Sequence, residues 1–264
     1  MRKLGAFLIV LMCIAILVFS YITWKEKLAV ASEETVKTPA LIEEKEVSKE
    51  TSEPVEATLS KDQLEQLVAS MDEQVQEVFL NRLEAGEKVQ LLVVGSQAMN
   101  AGEPGYSEQV KQAIEEAYEG FVEVETLSFD GTSEDFIEEE IDLSNEYDVV
   151  LLEPFTLNNN GLVEIEVEHE HIEEFYERIQ TEVSDAVLLL QPPQPIYGAG
   201  FYLTQIDALE EFASLNNIVY INHWSAWPAT TDPALQEYLT EEAIPNSNGA
   251  ETWTNELTSY FIAE

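Results

Sequence analysis

The sequence is poor in cysteine, in cations and in histidine. Its one cysteine among 264 residues, Cys13, lies inside the longest apolar run. No intrachain disulfide can form, so any folded part must be held by its core. Twelve Lys and Arg stand against 52 Asp and Glu, a net charge of −40, and no cation follows Arg178. Such a chain repels phosphate, which excludes nucleic acid as a partner. The acidity reads as a solvated surface that keeps a protein soluble in a saline or alkaline medium. Only His169, His171 and His223 are available as imidazole bases or ligands. There is no metal-ligand spacing and no glycine-rich nucleotide loop, so neither a metal nor a cofactor is expected.

What the chain does have begins at its amino end. Arg2 and Lys3 precede an uncharged apolar run from residue 4 to residue 24, closed by Lys25 and Lys27. That run is long enough to cross a bilayer, and residues 1–27 are predicted to form an uncleaved transmembrane anchor. A secretory signal peptide is the alternative. Ala29-Val30-Ala31 has the form of a cleavage site, although it stands beyond the two lysines rather than directly after the apolar core. Either reading exports the remainder, and the basic amino end favours an extracytoplasmic domain on a single-pass membrane protein. Residues 28–59 mix Glu, Lys, Ser, Thr and Pro without apolar period, the composition of a disordered acidic stalk.

The folded domain is expected over residues 60–264. Ser60 to Gln63 has the form of a capping box, and Leu64, Leu67, Val68, Met71, Val75, Val78 and Phe79 follow at helical spacing. Beyond Gly86, short apolar runs at 89–94, 149–152, 186–190 and 218–221, with an alternating apolar and polar stretch at 121–128, are interspersed with helical patterns at 106–118, 134–140, 169–183, 203–215 and 248–261. Short runs that are apolar throughout are strands buried on both faces, the signature of a parallel sheet between helical layers. The pattern predicts an α/β, flavodoxin-like three-layer sandwich whose site lies at the carboxyl ends of the strands.

Several segments at those strand ends resemble the conserved blocks of the SGNH (GDSL-type) hydrolases. VVGSQAM (93–99) stands where that family carries its first block, a serine after the first strand in a Gly-Asp-Ser or Gly-Ser-Ser setting, and Ser96 is matched to the nucleophile. SFDGT (128–132) follows the second strand, and Gly131 matches the glycine whose N–H serves the oxyanion hole. EPFTLNNN (153–160) follows the third. Asn158, then Asn159, is matched to the asparagine of the Gly-x-Asn-Asp block, with Glu153 in place of its glycine. The tail IPNSNG (244–249) keeps the Pro-Asn-x-x-Gly of the last block, Asp-x-x-His-Pro-Asn-x-x-Gly. The catalytic part of that block is lost, because Glu241 takes the place of the aspartate and Ile244 that of the histidine.

An isoleucine can neither accept the serine proton nor return it. His223, in IVYINHW after the last strand, is the substitute base that the chain order offers, with Trp224 and Trp227 as an apolar wall. The prolines of QPPQPIYG (191–198) restrict a loop whose amides and Tyr197 are placed to shape a pocket. His169 and His171 open a helix within EVEHEHIEE, where neighbouring carboxylates are expected to favour their charged forms. The resemblance implies a serine ester hydrolase acting outside the cell on acylated or acetylated glycans or lipids. The alternative is an SGNH-fold module that binds at the cell surface without turnover.

Overall fold

The computed structural model describes residues 59–263. The expected anchor over residues 1–27, and the stalk up to residue 58, lie outside them. No helix among the described residues is long and apolar enough to cross a membrane.

Ser60 forms the capping box that its spacing suggests, accepting the Gln63 N–H at 3.3 Å while the Gln63 side chain accepts the Ser60 N–H at 3.0 Å. The helical pattern that follows is divided into α1 (Lys61–Leu67) and α2 (Glu73–Ala85) by a turn over residues 68–70, with Asp72 extended before α2. Spacing alone cannot show this break, because Leu64, Val68, Met71, Val75 and Phe79 are all buried on its two sides. The sheet begins with β1 (Val89–Ser96), then α3 (Tyr106–Ala117), β2 (Val122–Phe129) and α4 (Ser133–Glu138). β3 (Val149–Leu152) leads into a single helical turn, α5 (Thr156–Asn159), and then the long α6 (Ile165–Glu182). β4 (Val187–Leu190), α7 (Tyr202–Leu215), β5 (Val219–Tyr220) and α8 (Ser247–Phe261) complete the order.

All five strands are parallel, in the order β2-β1-β3-β4-β5. The alternation of side chains along β1 divides the core. Leu91 and Val93 pack with α2, α3 and α8, whereas Leu92 and Val94 pack with α4, α6 and α7. The result is the flavodoxin-like sandwich that the apolar runs predict. Because β1 is flanked by β2 and β3, the order in which strands are added reverses beside β1, and the loops after β1, β2 and β3 leave neighbouring strand ends.

Candidate active site

Ser96 is the last residue of β1, paired with Phe129 at the end of β2, and it directly precedes a 3-10 turn over Gln97–Asn100 without a side-chain bond to it. It is 5% exposed, whereas Gln97 beside it is exposed. The Ser96 N–H donates to Glu153 Oε2 at 2.7 Å, and the Phe155 N–H donates to Oε1 of the same carboxylate at 3.0 Å. Glu153 is wholly buried at the end of β3. Gly95 makes the approach possible, since a Cβ there would stand 3.1 Å from both Cβ and Oε2 of Glu153. Phe155 adopts φ 64°, a left-handed conformation that a bulky residue holds only where the surroundings impose it, and here it turns the 155 amide onto Glu153.

Burial pushes the Glu153 carboxyl above its ordinary range, while the hydroxyl and N–H of Ser96 and the N–H of Phe155 pull it back. Burial thus leaves the carboxylate that receives the Ser96 N–H more basic than one in water.

The structure brings Gly131 and Asn158 together: Asn158 Nδ2 donates to the Gly131 carbonyl at 2.8 Å. Gly131 lies two residues past the Phe129 that pairs with Ser96, so the loops after β1, β2 and β3 meet there. Asn159 is placed differently. It is fully buried, its Oδ1 accepts the Ser133 N–H at 2.8 Å, and its Nδ2 donates to Ser133 Oγ at 3.0 Å and Glu168 Oε2 at 2.5 Å. With its amide hydrogens committed to α4 and α6, Asn159 is a structural clasp and not an oxyanion donor.

His223 also departs from its expected role. Its Nε2 donates to the Pro192 carbonyl at 2.8 Å, and its Nδ1 accepts the Trp227 indole N–H at 3.1 Å. The ring is wholly buried and stacked on Trp253 at 4.2 Å, and burial lowers its pKa to about 3. With both nitrogens occupied and its charged form disfavoured, this imidazole has no lone pair free for a serine proton. Trp253 is held on its other face by Tyr106 at 4.1 Å and donates to Gln191 Oε1 at 2.8 Å. His223 thus belongs to a packed clamp joining α8 to the loops after β4 and β5.

His169 also differs from the charged form its acidic neighbours suggest. It stacks on Phe212 at 4.3 Å, and burial, outweighing nearby Glu166, lowers its pKa instead of raising it. His171 Nδ1 meets Ser133 Oγ at 2.9 Å. Among the described residues no three His, Cys, Asp or Glu side chains are grouped to hold a metal.

The intact Pro-Asn-x-x-Gly tail serves the architecture. Asn246 caps α8, accepting the N–H groups of Asn248 and Gly249 at 2.9 and 3.2 Å, and its Nδ2 donates to the Glu237 carbonyl at 2.9 Å. Ile244, in the histidine's place, is 41% exposed.

No protein-family model matches the chain, and no curated protein matches it by sequence. Solved structures do match. A lipolytic protein of the G-D-S-L family from Desulfitobacterium hafniense superposes with TM-score 0.53 at 14% identity, covering 66% of this chain and 99% of its own. This is the SGNH hydrolase fold. The psychrotrophic esterase EstA from Pseudoalteromonas gives TM-score 0.51 at 16% identity over 65% of this chain and 95% of its own. An acetylxylan esterase from Geobacillus stearothermophilus gives 0.50 at 13% identity over 67% and 95%. These likenesses bear on the SGNH fold, and a chemical role for this chain must come from its own side chains.

Proposed function

We propose that this chain is an exported SGNH-fold ester hydrolase whose substrate is an acylated carbohydrate, held at the cell surface by its amino-terminal apolar segment. The observation that carries this reading is Ser96 at the carboxyl end of β1 against the buried, ionisable carboxylate of Glu153. In this scheme Ser96 Oγ attacks the acyl carbon as its proton passes to Glu153, and the Gly131 N–H and an Asn158 amide hydrogen face the oxyanion. Glu153 then returns the proton to the departing sugar alkoxide. Water enters, gives a proton to Glu153 and attacks the acyl-enzyme. Release of the acid restores Ser96 with that proton. Support for a carbohydrate ester comes from the acetylxylan esterase among the structural neighbours.

A second reading, a binding module without turnover, is favoured by specific positions. In a Gly-Asp-Ser register the serine stands two residues after the glycine, and here that position is Gln97. Ile244 and the locked His223 leave no imidazole for the usual relay. The full-length chain in detergent, given p-nitrophenyl acetate, acetylated xylan and a fluorophosphonate probe, separates the two. Hydrolysis and labelling that fall about 1000-fold in Ser96→Ala and in Glu153→Gln support the hydrolase. Background signals shared by the parent chain and Ser96→Ala leave the binding module.

A further inference from the structure

The loop after β4 and the segment before α8 border an open cavity that the proposed chemistry does not use. Its volume is about 450 Å³, and it is lined by Tyr197, Gln236, Leu239, Thr240, Glu241 and Ala243. The walls are built rather than incidental. Leu239 and Pro245 form an antiparallel bridge, the Thr240 N–H donates to the Ile244 carbonyl at 2.8 Å, and the Ala243 N–H donates to the Thr240 carbonyl at 3.1 Å. Ala243 is held at φ 60°, a conformation a residue with a Cβ adopts at a cost. Opposite this loop the Gly198 N–H donates to the Thr230 carbonyl at 2.9 Å, fixing the backbone beside Tyr197, whose ring is 45% exposed.

A second feature lies directly behind the wall. Gln194, 2% exposed, donates from Nε2 to the Ala243 carbonyl at 3.3 Å, while its Oε1 is buried without a hydrogen-bond partner. Gln194 does not itself line the cavity, and its bond to Ala243 braces the wall from within the fold.

The chemistry of the lining selects the ligand. An exposed tyrosine offers a flat, amphipathic face to the C–H side of a pyranose ring, and Gln236, Thr240 and Glu241 offer the acceptors and donors that ring hydroxyls need. An acyl chain would leave those polar groups desolvated without partners. An anionic ligand would meet Glu241 with no compensating cation, since no Lys or Arg follows Arg178 in the sequence. We infer that the Tyr197–Glu241 cavity is a subsite for an uncharged sugar unit of a glycan. This extends the carbohydrate-ester reading above, on which its role in turnover rests, but sugar binding there requires no catalysis.

The test therefore uses the full-length Ser96→Ala chain in detergent, titrated calorimetrically with xylohexaose and chitohexaose as neutral probes and with oligogalacturonate as an anionic one. A neutral oligosaccharide binds, Tyr197→Ala weakens it at least tenfold, Glu241→Ala weakens it severalfold, and Tyr197→Trp retains it. Tyr197 is exposed, so its replacement leaves the fold intact, and unchanged binding by Tyr197→Ala overturns the assignment. So does a chain that binds neither neutral probe, or one that prefers oligogalacturonate. Because Ser96 is absent throughout, failure here leaves the hydrolase assay standing, and failure of that assay leaves this one.

Discussion

Gly249 has no room for a methyl group. A Cβ there would lie 2.4 Å from the Tyr238 carbonyl oxygen and 3.0 Å from the Trp227 ring, so α8 approaches the preceding loop through this residue. Gly249→Ala should lower stability by about 1–3 kcal/mol through overpacking, read as a shift in the urea midpoint at constant slope. Asn246→Ala removes the α8 cap together with the bond to the Glu237 carbonyl, and should cost about 1–2 kcal/mol in the same measurement. Neither position touches Ser96 in the hydrogen-bond network, so an active chain should keep its rate per folded molecule in both variants. These two residues were the most legible part of the family resemblance, and their spacing is preserved by helix capping and close packing. The chemical residues of the same block are not preserved. Glu153 shows the opposite. In the sequence it reads only as a departure from a glycine, and its contact with Ser96 becomes visible once β1 and β3 pair.

At the scale of elements, α6 is fastened to α5 through Glu168 and to α4 through His171. The Glu168 carboxyl accepts from Thr156 Oγ1 at 2.7 Å and from Asn159 Nδ2 at 2.5 Å, and burial raises its pKa to about 7. The folded state therefore holds a proton that the unfolded chain has released above its ordinary value of 4.5. The resulting stability is full below pH 4.5 and is lost as pH rises to about 7. His223 acts in the other sense. With its pKa depressed from 6.5 to about 3, its contribution is present above pH 6.5 and declines as pH falls towards 3. Subtracting the urea stability of Glu168→Gln from that of the parent isolates the first effect. The difference should diminish between pH 4.5 and 7, and a difference independent of pH would contradict a proton held at Glu168.

The same elements show what periodicity can reveal. The wholly apolar runs at residues 149–152 and 186–190 become β3 and β4 because only a strand buried on both faces uses such a run. The single turn α5 is invisible in that pattern. Its residues Thr156, Leu157, Asn158 and Asn159 read as a polar loop, and only their bonds to the neighbouring helices make them helical. His223 misleads for a related reason. Chain order places it at the correct sheet end, but the closing of Trp227 and Trp253 around it is a tertiary event with no local signature.

Over the whole molecule the net charge of −40 works against compactness. Raising ionic strength from about 0.01 to about 0.1 M shortens the screening length from about 30 to about 10 Å. The thermal midpoint should rise by several degrees over that range, whether the salt is sodium or choline chloride. A rise confined to one cation would point to specific ion binding instead of screening.

Charge is also unevenly divided along the fold. Arg178, near the end of α6, donates to the Ile137 carbonyl and to Glu174, both at 2.6 Å, and every element after it is without lysine or arginine. Trypsin cuts only after those two residues. Digestion of the unfolded chain must therefore deliver β4, the cavity loop, His223 and the whole of α8 as one uncut peptide, and peptide mapping of this third of the chain requires a protease that cuts at acidic or aromatic residues.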